Sequence, residues 1–310
     1  MNLATRFLVI VCLCSPFASA NAEIEQPCSK GSGVVLQVLG SGGPIADDGR
    51  ASSGYLLWID GVARVLVDVG AGSLLRFGEA GARFEDLDFV GVSHFHTDHS
   101  ADFPALLKSG SFSARARPLH VAGPAGGGQF PGLKAWLRSM LDADAGAYGY
   151  LSGFLDGTSG QPMLVAREVS LAGPPALVYR NDVLSIEAMP VPHGVVPAVA
   201  FKVVTGDETL VFASDQNASN REFVDFAKGA SVLVMHLVVP ETVTGVASRL
   251  HARPSVIGDV AAKTKARQLV LSHFMARSLR DIDKNVALVR QAYGGKVILA
   301  EDLVCVAAGG

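Results

Sequence analysis

Short apolar runs, closed by glycine, proline or charged residues, recur along the chain from residue 34 onward. Residues 34–39, 55–59 and 62–67 read as strands, with Asp60-Gly61 as the hairpin turn between the last two. Further strand-length runs fall at 87–92, 118–122, 183–191, 210–214, 269–271, 297–300 and 303–306. Helices are predicted at 71–79, 101–108 and 255–266. Two more show one apolar face: Leu133, Trp136, Leu137, Met140 and Leu141 in the first, and Leu279, Ile282, Val286, Val289 and Tyr293 in the second, which Gly294-Gly295 stops. Residues 143–162 break the pattern. They are glycine-rich, with Tyr148, Tyr150, Leu151, Phe154 and Leu155 spread among turn formers, which suits a lid, a substrate wall or a homodimer contact.

The first residues stand apart from this pattern. Arg6, an unbroken apolar run over 7–14 and Ala18-Ser19-Ala20 compose a secretory signal peptide, residues 1–20, cut after Ala20 or Ala22. Eight apolar residues are too few to cross a bilayer, which takes roughly 20. The remainder, 21–310, reads as one domain without repeats or long linkers, and at 49% apolar it can bury a large core. A net charge of −3 implies no broad basic surface for nucleic acid. Removing the leader leaves Cys28 and Cys305, near opposite ends, and an even count in an oxidising compartment favours a bridge.

The chemistry concentrates in Ser93-His94-Phe95-His96-Thr97-Asp98-His99, directly after the apolar run 87–92. The chain has eight histidines in 310 residues, so three within six positions are not a chance surface turn. Imidazole is a favoured zinc ligand, and a carboxylate can take a neighbouring metal. Gly40-Ser41-Gly42-Gly43-Pro44 follows the first strand but lacks the Lys-Ser/Thr ending of a phosphate loop, so it reads as a tight turn.

The spacing H-x-H-x-D-H resembles the metal-binding signature of the metallo-β-lactamase superfamily, and later residues are similar to its tRNase Z and arylsulfatase branch. The resemblance implies an α/β fold, the αβ/βα sandwich of that superfamily. It implies that His94, His96 and His193 hold one metal, that Asp98, His99 and His273 hold a second, and that Asp215 bridges them. It implies two zinc ions, with manganese or iron able to fill the same donors. Asp98 and His251 are cast as catalytic, His251 protonating the leaving group. Asp68, at the end of its strand, is either an acceptor behind the metal ligands or a cap for helix 71–79.

Departures from the tRNase Z pattern shape the functional expectation. Leu237 stands where that family has a glutamate orienting the catalytic histidine, leaving Glu241 as a substitute. Only 21 residues separate His193 from Asp215, where the family's tRNA-gripping basic arm would lie. Arg253 is the one cation near His251 in that loop. The expectation is therefore a periplasmic or secreted hydrolase of sulfate esters or phosphodiesters. Its substrate would be a small anionic or aryl ester, with no nucleic acid and, after leader removal, no membrane. Lactone or β-lactam hydrolysis is the alternative within enzymes. A catalytically silent binding protein that kept the fold is the alternative outside them.

Overall fold

A computed structural model describes residues 28–309; the expected signal peptide, residues 1–20, lies outside them. In the first half, strands β1 (Val34–Gly40), β2 (Gly54–Ile59), β3 (Val62–Val69), β4 (Phe89–Gly91), β5 (Leu119–Pro124) and β6 (Leu164–Val169) interleave with helices α1 (Ser73–Glu79), α2 (Thr97–Ser100), α3 (Phe103–Gly110), α4 (Leu133–Leu141) and α5 (Gly153–Asp156). In the second half come β7 (Ala176–Arg180), β8 (Ser185–His193), β9 (Val196–Thr205), β10 (Glu208–Phe212), β11 (Val232–His236), β12 (Gln268–Ser272) and β13 (Lys296–Leu299). Their helices are α6 (Glu222–Phe226), α7 (Val246–Leu250), α8 (Pro254–Thr264), α9 (Ala276–Leu279) and α10 (Ile282–Ala292), and β14 (Cys305–Ala307) ends the chain.

Two seven-stranded sheets result, in the orders β14-β1-β2-β3-β4-β5-β6 and β13-β12-β11-β10-β9-β8-β7. Side-chain alternation explains how they stack. Leu36, Val38, Tyr55, Leu57, Val65 and Val67 point into the core between the sheets, while Val35, Leu39, Leu56, Trp58 and Leu66 point into a second core under α3 and α4. Strands buried on both faces read as continuous apolar runs, and β2 is buried at all six positions. Phe89 of β4 meets Phe201 of β9 edge-on across the central core, with ring centroids 5.9 Å apart. This is the expected αβ/βα sandwich. In each sheet a meander of antiparallel strands gives way to parallel ones, at β3–β4 and at β10–β11.

Several local expectations change. The helix expected at 101–108 is α3, at Phe103–Gly110, and a separate short helix, α2, forms within the metal-binding motif itself. Strands β6, β7 and β9 were not expected. The first two lie at or near sheet edges with half-exposed, weakly alternating residues, and β9 follows β8 through the two-residue turn Gly194-Val195. Residues 143–162 form neither a loose lid nor a cleft wall: Leu151 and Phe154 are buried in the core beneath α4. Cys28 and Cys305 form the expected bridge, with Cα atoms 5.7 Å apart across 277 positions. Among the described residues, no helix is long and apolar enough to cross a membrane.

Candidate metal centre

The site lies at the strand ends where antiparallel pairing turns parallel. Asp68 lies near the end of β3, His193 ends β8 and His236 ends β11, while Asp215 and His273 follow β10 and β12 closely. His94 and His96 lie in the turn from β4 into α2, and Asp98 and His99 in α2 itself. Asp68, Ser214 and His273 all have left-handed backbone, with φ of 61°, 61° and 55°. Such conformations cost energy in non-glycine residues and persist where surrounding structure enforces them. Here they swing each strand end sharply toward the centre.

The ring nitrogens converge in two groups. His94 Nε2 and His96 Nδ1 are 3.0 Å apart, and both group with His193. On the other side, His273 Nε2 is 3.1 Å from both His99 Nε2 and Asp98 Oδ2. Asp215 Oδ2 sits between the groups, 3.7 Å from His193 Nε2 and 3.7 Å from His99 Nε2. Donors about 2.1 Å from a tetrahedral zinc stand roughly 3.4 Å from one another, so these spacings fit metal coordination. Nitrogens bearing protons would repel at such distances.

The partners behind the donors support the same fit. His193 Nδ1 donates to the Leu250 carbonyl at 3.0 Å, while its buried Nε2 has no hydrogen-bond partner and faces the centre. His99 Nδ1 lies 2.7 Å from Asp68 Oδ2, and Asp68 also accepts from the Ser93 amide and hydroxyl at 2.7 and 2.8 Å. A carboxylate there fixes the ring so that Nε2 offers its lone pair. Asp68 is thus an acceptor behind the site and not a helix cap; Gly72 holds the cap position of α1. The donor set fits a two-metal centre.

Electrostatics follow from burial and close charges in the metal-free protein. Burial lowers the His94 and His251 imidazoles, the latter to about 3. Burial opposes the charge on His99 too, but Asp68 and Asp98 beside it raise its pKa to about 9. Asp215 resists burial in the same way: His273, His251 and a hydrogen bond from His236 hold it well below the usual carboxylate range. Its carboxylate stays ionised and ready for cations.

A cleft of about 490 Å³ opens over the centre, lined by Pro44, Phe95, Leu250, Met275 and Arg277 besides the donors and His251. Seven expected donors and His251 therefore come together. Two residues escaped the sequence reading. Arg277, four residues after His273, reaches the cleft and donates from Nε to the Val238 carbonyl at 3.0 Å. His236 is buried against Asp215, 2.6 Å from Nδ1 to Oδ1; its signal was a lone histidine ending an apolar run. Arg253, the expected cation, is exposed, hydrogen-bonds Val243 and does not line the cleft. Glu241 does not orient His251 either, because both its oxygens accept from Ser255 at the start of α8.

Comparison with known proteins places this geometry. Residues 63–274 match the Beta-lactamase superfamily domain. The chain is 25% identical to ribonuclease Z of Thermobifida fusca, over 88% of this chain and 94% of that protein. It is 26% identical to ribonuclease Z of Mycobacterium marinum, over 87% and 97%. Among solved structures, the metallo-β-lactamase fold protein YhfI of Bacillus subtilis superposes with a TM-score of 0.67 at 21% identity, covering 89% and 99%. The short form of human tRNase Z gives 0.69 at 19%, covering 88% and 99%.

These relatives correct three expectations. The lead of a secreted, arylsulfatase-like hydrolase gives way, because the sequence relatives are ribonucleases by name. The expectation of a small ester substrate and no nucleic acid falls with it; net charge averages a whole surface and says nothing of a single cleft. A periplasmic or secreted placement is likewise overturned, since ribonucleases Z are named for RNA, which is made inside the cell. The chain belongs to the beta-lactamase superfamily and is a metal-dependent hydrolase of ester bonds.

Proposed function

We propose that this protein is a two-metal phosphodiesterase that cleaves RNA. In this reading His94, His96 and His193 hold one ion, Asp98, His99 and His273 hold the other, and Asp215 spans both. The observation that carries it is Asp215 Oδ2 equidistant, at 3.7 Å, from His193 Nε2 and His99 Nε2. Paired divalent ions supply a nucleophile from water near neutral pH and draw charge off a phosphodiester. Zinc suits a donor set this rich in imidazole, with manganese or iron as substitutes.

The chain's own residues complete the chemistry. Asp68 holds the His99 ring so that Nε2 stays bare. Arg277, the cation lining the cleft, gives a phosphate oxygen its charged partner. His251 is a neutral imidazole at pH 7, since burial pushes it down to about 3. Its role is to offer an N–H to the departing oxygen. Among the described residues, no carboxylate other than those of the centre contacts it: Asp215 Oδ1 is 3.8 Å from its Nδ1, and Leu237 is buried in the core.

RNA would be held without the basic arm of tRNase Z, because β8, β9 and β10 form a meander with two-residue turns at Gly194-Val195 and Gly206-Asp207. Arg249 and Arg253, exposed on either side of His251, are the cations nearest the cleft along that segment. The test is to load the protein with zinc and offer an unstructured RNA, a tRNA precursor and bis-p-nitrophenyl phosphate in parallel. Metal-dependent cleavage of at least one RNA, lost with chelator, is expected. Fully loaded protein that hydrolyses the small diester and leaves both RNAs intact would refute RNA as the substrate.

A further inference from the structure

Behind the bridging acid lies a buried histidine that the chemistry described so far does not use. His236 ends β11 and is 5% exposed. Its Nδ1 is 2.6 Å from Asp215 Oδ1, and its Nε2 is 3.0 Å from the hydroxyl of Tyr55 on β2, itself 1% exposed. That hydroxyl also lies 3.0 Å from Ser272 Oγ, the residue just before His273. Register pairs His236 with Ser272 across the β11–β12 ladder. The contacts therefore run from Asp215 through β11 to β12 and, across the sandwich, to β2.

His236 stands within the same donor group as His99, Asp215 and His273. Yet both of its nitrogens are engaged, one by Asp215 and the other by Tyr55, so neither presents a free lone pair to a metal. What it can do is stop the carboxylate turning. Asp215 Oδ2 faces both donor groups only while Oδ1 is pinned; rotation about the Cβ–Cγ bond would carry Oδ2 away from the midline.

We infer that His236, held by Tyr55, is a positioning residue that fixes the rotation of Asp215 and thereby couples the two metal sites. The inference rests on Asp215 bridging both ions, as proposed above. Partners of this kind behind a ligand commonly change metal affinity by ~10–100-fold when removed.

The experiment is a metal titration of wild type, His236→Phe, His236→Asn, Tyr55→Phe and Asp215→Asn, using a chromophoric chelator as competitor and elemental analysis for stoichiometry. Phenylalanine keeps the buried ring and loses the donor; asparagine keeps an N–H close to the Nδ1 position. His236→Phe should weaken both ions about 10–100-fold, because Asp215 Oδ2 stands equally far from a donor of each group. His236→Asn should recover most of that loss, and Tyr55→Phe should fall between. A merely structural role would instead lower the melting temperature of chelated protein while leaving both affinities unchanged. Wild-type affinity for either ion in His236→Phe overturns the inference. No recovery in His236→Asn also overturns it, because a direct ligand would behave so. Two unweakened ions in Asp215→Asn would sink the bridging assignment itself. Should His236→Phe fail to fold, Tyr55→Phe with unchanged affinities for both ions decides against the coupling.

Discussion

Replacing Asp68 with asparagine tests whether the residue behind the ligands governs the second metal. The substitution is nearly isosteric, and asparagine tolerates the left-handed backbone at φ 61°. The bond from the Ser93 amide to Oδ1, 2.7 Å, can survive. What disappears is the carboxylate facing His99 Nδ1 at 2.7 Å and the Ser93 hydroxyl at 2.8 Å. An amide NH₂ pointed at Nδ1 favours the tautomer with its proton on Nε2, the nitrogen a metal needs. Hydrogen bonds to a charged group contribute about 1.5–3 kcal/mol. The loss should appear mainly in metal affinity, about 10–100-fold or ~1.4–2.7 kcal/mol, since the fold keeps its packing. Competition with a chromophoric chelator, beside the urea midpoint of chelated protein, separates the two effects. Unchanged affinity for both ions would show that Asp68 does not prepare His99 for binding.

Three further outcomes are expected. In Gly43→Ala, the new Cβ would lie 2.8 Å from His273 Cε1 and 2.9 Å from Nδ1, so the ring must move. The cost is about 1–3 kcal/mol, with weaker binding of one ion and an unchanged circular dichroism spectrum; full affinity would show that the ring has room. Reducing the Cys28–Cys305 bridge, or replacing both cysteines with serine, should cost about 2–4 kcal/mol, and reductant should then have no further effect on the double variant's melting. Chelated protein should be most stable near pH 6.5. His236 and His251, lowered to about 4 and about 3 by burial, contribute stability present above 6.5 and lost as pH falls toward those values. His99, raised to about 9, contributes stability present below 6.5 and lost as pH rises through 9. Urea midpoints that climb steadily from pH 4.5 to 9.5 would contradict this assignment.

Much of the site was legible because its donors are rare residue types at strand ends. His193 and His273 each follow an apolar run, and that position is what the fold uses to bring them together. His236 follows such a run too, but nothing local distinguishes a histidine that donates to a carboxylate from one that binds a metal. Only the 2.6 Å contact with Asp215, across 21 positions, separates the roles. Arg277 was hidden for a similar reason: it follows His273 by one helical turn, and α9, which carries it, is just four residues long. Strands β6 and β7 were illegible because strands at or near sheet edges bury less and so alternate weakly. Glu241 shows the converse error. Proximity in sequence suggested a partner for His251, while the start of α8 offered Ser255 at 2.7 Å and took it.

Each donor group draws on both halves of the sandwich. His94 and His96 leave the first sheet and meet His193 of the second, while Asp98 and His99 meet His273 and Asp215. Neither sheet alone can bind an ion in this way, and a slip of one residue in either would turn donors away from their partners. Metal loading therefore acts as an assembly check, reporting that two separately registered sheets have docked in the correct relation. With the Cys28–Cys305 bridge reduced, a chain cut in the surface turn between β6 and β7 should accordingly yield two fragments that metal draws back together.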